Sequence, residues 1–64
     1  MMSEHIKKSL IKTMAEMLHE TTDAEWIREE LSLMYGVDLD DQLWARLYIQ
    51  GVVRAAFSND LTGK

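Results

Sequence analysis

Few side chains in this 64-residue chain can do chemistry, and their spacing narrows what that chemistry would be. Glu16 and His19 stand three residues apart, the Glu-x-x-His spacing with which helices of di-metal carboxylate proteins grip their ions. A centre of that kind needs a second copy of the pair and two further carboxylates, all facing one interior. A dimer would supply the copy, with Glu29 or Glu30 as the extra acid, but Glu16 and His19 belong to a polar helix face. His5 and His19 share a side of the same helix without an acid or nucleophile placed to make either a general base. Ser3, Ser9, Ser32 and Ser58 fall at caps or on polar faces. There is no cysteine, so thiolate metal sites and disulfides are excluded. No glycine-rich loop is present to cradle a phosphate. The chain is therefore expected to be non-enzymatic, with no catalytic residue, no cofactor and no metal.

The elements that carry these residues are helices. Proline is absent, the three glycines are Gly36, Gly51 and Gly63, and no segment alternates as a strand does. The predicted fold is all-α: one domain over 1–64, a three-helix unit with helices at about 3–20, 23–35 and 40–57, and ends that fray at 1–2 and 59–64. In the first helix, with Ser3 as N-cap, a turn of about 100° per residue gathers Ile6, Leu10, Ile11, Met14, Met17 and Leu18 on one side. Thr22 and Glu25 read as a capping box for the second, whose main apolar face is Ala24, Ile27, Leu31, Met34 and Tyr35. Gly36 stands where a helix stop requires positive φ, with Val37 behind it to make the accompanying apolar contact. Asp38 or Asp40 caps the third helix.

The third helix is apolar over most of its perimeter. Gln42, Arg46, Gln50 and Arg54 recur every four positions and span a sector of about 120°, while Leu43, Trp44, Leu47, Tyr48, Ile49, Val52, Val53, Ala55, Ala56 and Phe57 fill the rest. A helix with so wide an apolar surface is normally covered on most sides, and two short neighbours cover only part of it. Two apolar sets are left over: Trp26 with Leu33 on the second helix, and Leu43, Val53 and Phe57 among Arg46, Gln50 and Arg54 on the third. They read either as the scattered apolar residues that monomers commonly show, or as a surface for a homodimer or an unidentified protein partner, where aromatics and arginine concentrate. Gly51 and Ala55 make a flat strip, for close helix approach across a dimer or against the first helix within one chain.

Charge separates the remaining function classes. The formal net charge is −4 and the pI about 4.9, which disfavours loose binding to nucleic acid. Residues 1–12 hold Lys7, Lys8 and Lys12 against Glu4, and residues 42–64 hold Arg46, Arg54 and Lys64 against Asp60. Between them Glu16, Glu20, Asp23, Glu25, Glu29, Glu30, Asp38, Asp40 and Asp41 face Arg28 alone. The second and third helices outline a helix-turn-helix, an alternative reading as a DNA-binding regulator. Asp38, Asp40 and Asp41 at the start of its reading helix would repel phosphates. The acidic belt offers a further alternative, an inhibitor of the phage or antitoxin type. No apolar run approaches a membrane span, and the first residues lack the apolar core of a signal peptide, so the expected location is the cytoplasm.

A short amphipathic helix, a capped second helix and a long apolar third ending Ile49-Gln50-Gly51-Val52-Val53-Arg54-Ala55-Ala56-Phe57-Ser58-Asn59-Asp60 resemble the small enterobacterial biofilm-development proteins of the AriR (YmgB) type. The resemblance covers about residues 6–60 and rests on apolar spacing and the Val53-Arg54…Phe57-Ser58-Asn59 ending. It implies a three-helix unit that dimerises, acts in acid resistance, biofilm control or phosphorelay signalling as a connector, and has no catalytic residues. The Gly36 turn and the two tryptophans set this chain apart from that pattern.

Overall fold

The computed structural model describes the backbone of residues 3–62 and the side chains of residues 3–57. It contains three helices, α1 (Glu4–Leu18), α2 (Ala24–Tyr35) and α3 (Asp41–Thr62), and no strand among the described residues. The all-α, three-helix architecture is therefore as expected. The third helix differs: it continues to Thr62 instead of ending near Phe57. Of the ends expected to fray, 1–2 and 59–64, residues 59–62 are helical, and 1–2 and 63–64 lie outside the described residues.

Local chemistry sets each boundary. Ser3 adopts extended backbone and its Oγ accepts from the Ile6 amide at 3.2 Å, satisfying one of the donors that a helix start leaves open. At the other end, the His19 amide bonds the Glu16 carbonyl at 3.2 Å. This tightened last turn closes α1 at Leu18, short of the expected Glu20. The start of α2 corrects the Thr22–Glu25 box by one residue. Asp23 is the cap, its Oδ1 accepting from the Trp26 amide at 3.1 Å, while Thr21 Oγ1 accepts from the Asp23 amide. A carboxylate at this position also meets the positive end of the helix dipole, which a threonine hydroxyl does not. Gly36 stops α2 at φ 62°, and the Val37 amide reaches back to the Ser32 carbonyl at 3.2 Å, the closing bond of a left-handed helix stop. Of the two candidates for the third cap, Asp40 fills the role: its Oδ1 accepts from the Leu43 amide at 2.8 Å.

The core is a single cluster with α1 between its neighbours. Leu10, Ile11 and Met14 of α1 meet Ile27 and Leu31 of α2 and Leu47 of α3. Leu39, in the α2–α3 connection, is buried with them, a core residue that no helical periodicity marks. The Arg28 guanidinium holds that connection in place, its Nε donating to the Leu39 carbonyl at 2.9 Å while Nη2 lies 3.2 Å from Asp41. Asp41 is almost wholly exposed, so the bond to the carbonyl matters more than the ion pair. At the end of α2, Tyr35 lies on α1. Its hydroxyl is 2.8 Å from Thr13 Oγ1 and 3.0 Å from Ser9 Oγ, and donates to the Ser9 carbonyl at 3.1 Å. Because Tyr35 takes the inward direction there, Met34, about 100° away on the helix, is exposed. Its expected place on the buried face is thereby corrected.

Gly51 settles how α3 sits. It is buried, and a Cβ built on it would overlap the fully buried Met14 of α1. The flat strip serves packing within the chain, at the crossing of α1 and α3.

Candidate interaction surface

None of the residue pairs that could do chemistry is drawn into a site. Glu16 and His5 on α1 and His19 at its C-terminal cap are all exposed. Among the described residues no group of three or more His, Cys, Asp or Glu is placed to hold a metal ion. What the fold builds instead is a surface.

Its phase follows from the Gly51 contact. With Leu47 and Gly51 facing α1, the outward line of α3 passes through Ile49 and Val53, roughly 80° from the centre of the Gln42–Arg46–Gln50–Arg54 sector. The polar row therefore does not face straight out. Ile49 and Phe57 are each 64% exposed and Val53 50%, with Val52 and Ala56 exposed beside them. Ile49 and Val52 are exposed on this face, although the sequence reading did not include them among the candidate contact residues. The polar row does not mark the outward direction, whereas the small residue opposite Met14 does.

Along one flank of this face runs a groove between α1 and α3. Its walls are Lys8 and Ile11 from α1 and Ile49, Gln50, Val53, Arg54 and Phe57 from α3, and it is a shallow groove of about 660 Å³, open to solvent. The floor is aliphatic and aromatic, and the two charged groups on its rim are both cations, Lys8 and Arg54. Neither is in an ion pair among the described residues. Lys8 was not anticipated, because a charged residue on an amphipathic helix reads as solvated until a neighbouring helix turns its stem into a wall.

The remaining expected residues separate into three places. Gln50, Val53, Arg54 and Phe57 come together at the groove, and Arg46 is exposed on α3 beside it. Leu43 is half-buried and packs on the core, so it belongs to the interior more than to the outer surface. Trp26 and Leu33 are exposed on the outer side of α2, apart from the groove. Trp26 lines a small hollow together with Thr13, Glu16 and Met17 of α1 and Glu20 just beyond its end. Glu25 and Glu29 are exposed on the same helix and Glu30 is partly so. The outer side of α2 is thus apolar and acidic, while the α1–α3 groove is apolar and basic.

No protein-family model, no curated protein and no solved structure matches the chain. No helix among the described residues is long and apolar enough to cross a membrane.

Proposed function

We propose that this chain is a non-enzymatic regulatory module that acts by protein–protein contact, assembled as a homodimer, with the outer side of α3 as its principal contact surface. The observation that carries this reading is the contiguous exposure of Ile49, Val53 and Phe57 around a groove rimmed by Lys8 and Arg54. Singly exposed apolar residues are ordinary on monomers, but here they line one depression together. An aromatic and an arginine beside aliphatic groups are the composition that protein interfaces concentrate.

Size points the same way. A chain of this length buries only about 60% of the surface its unfolded form exposes, and α3, 22 residues and about 33 Å long, extends beyond 15-residue α1 and 12-residue α2. A partner supplies the cover that its own helices lack. In this reading the module works in the cytoplasm as a connector in bacterial stress or biofilm signalling, a role supported by its AriR-like helix pattern. Sedimentation equilibrium at micromolar concentration is the test: a mass near twice 7.4 kDa is expected, and a 7.4 kDa species throughout would overturn the homodimer.

A further inference from the structure

We infer that the α1–α3 groove takes the outer ridge of α2 from a second copy of this chain, a reciprocal contact between an apolar-basic cleft and an apolar-acidic helix; this rests on the homodimer reading above and specifies its geometry. The chemistry of the two surfaces is complementary. The groove has an apolar floor with Lys8 and Arg54 on its rim. The ridge presents Trp26 and Leu33, both exposed, with Glu29 and Glu30 between them in sequence. On a helix these four fall within a sector of about 100°, so the two apolar knobs and the two acids face one partner.

Dimensions agree as well. Trp26 and Leu33 are seven residues apart, about 10.5 Å along α2, and Ile49 to Phe57 span eight residues, about 12 Å along α3. Two knobs at i and i+7 are the anchors with which an amphipathic helix seats in a groove. The contact joins two different patches. About a two-fold axis both copies of it form at once and the interface is isologous; without that axis it is head-to-tail and extends to larger species. Either way the ridge and the groove, two exposed apolar surfaces among the described residues, cover one another. A symmetric pairing of α3 on α3 would instead leave Trp26 and Leu33 bare.

A charge-swap experiment by sedimentation tests this at low salt, with circular dichroism to verify helix content. The ridge variant carries Glu29→Lys and Glu30→Lys, and the groove variant Lys8→Glu and Arg54→Glu. Each alone opposes like charges and is expected to raise the dissociation constant more than tenfold. Mixed one to one, the reversed ridge meets the reversed groove while the native groove meets the native ridge, and association returns to within about threefold of the wild type. Wild-type association is also expected to weaken as salt rises, because the rim charges are screened. Should partly buried Glu30 not accept lysine, Glu29→Lys alone makes the same test with a smaller shift. A ridge variant that self-associates as tightly as the wild type would overturn this contact while leaving the α3 interface standing. So would a mixture that gains nothing over its components. A wild type that is monomeric throughout would overturn both.

Discussion

Gly51 of α3 lies directly on Met14 of α1: a Cβ built on the glycine would overlap Met14 Sδ and stand 3.0 Å from its Cγ. One missing side chain thereby fixes the rotation of a helix that is apolar on nearly every side. It determines that Leu47 is inside and that Ile49, Val53 and Phe57 are outside.

The relationship predicts a reversal of sign. Alanine normally improves a mid-helix glycine by about 1 kcal/mol, whereas overfilling a packed contact costs about 1–3 kcal/mol. Gly51→Ala is therefore expected to destabilise the chain by about 1 kcal/mol. In a Met14→Ala background, where the overlapping atoms are gone, the same change is expected to stabilise by a similar amount. Denaturant titration checks both, in sulfate to offset the loss from Met14→Ala. Equal effects in the two backgrounds would remove Gly51 as the residue that sets the helix phase.

Two adjacent residues separate the observed start of α2 from the capping box its sequence suggests. Asp23→Ala removes the acceptor of the Trp26 amide and is expected to cost about 1 kcal/mol. Thr22→Ala removes no bond of this kind and is expected to change stability by less than about 0.5 kcal/mol. Thermal midpoints of the two variants make the comparison.

Leu39 belongs to the core although it sits between helices. Leu39→Ala is expected to cost about 2–5 kcal/mol, the range for emptying a buried leucine site. Tyr35→Phe, which removes the hydroxyl shared with Ser9 and Thr13, is expected to cost about 1 kcal/mol. Chemical denaturation distinguishes the two losses.

The course of the chain was largely legible before the coordinates. Amphipathic spacing, the Ser3 cap and the Gly36 stop each have a local physical cause, and local causes can be read from neighbouring residues. The features that were not legible depend on contacts between distant residues. Asp23 and Thr22 are both good caps, and only the path of the incoming chain chooses between them. Leu39 lies in a loop whose burial depends on Arg28 reaching its carbonyl. Met34 and Tyr35 compete for one inward direction. Helix α3 has the most consequential ambiguity: with apolar residues over most of its perimeter, its sequence does not say which apolar side faces α1. The residues expected at the surface were those among Arg46, Gln50 and Arg54, and Ile49, Val52 and Lys8 were not among them. Of the expected site, Gln50, Val53, Arg54 and Phe57 gather at one groove, whereas Leu43 turns to the core and Trp26 with Leu33 form a separate ridge.

The most direct test of the contact role of α3 is sedimentation equilibrium of Val53→Asp, read beside its circular dichroism. Val53 is half exposed and lines the groove, so a carboxylate there leaves the fold intact but burdens any partnered state with a desolvated charge. The expected result is a 7.4 kDa monomer with helix content unchanged, at concentrations where the wild type is a dimer. A variant that retains the wild-type dimer mass would contradict the assignment of this face as the interface.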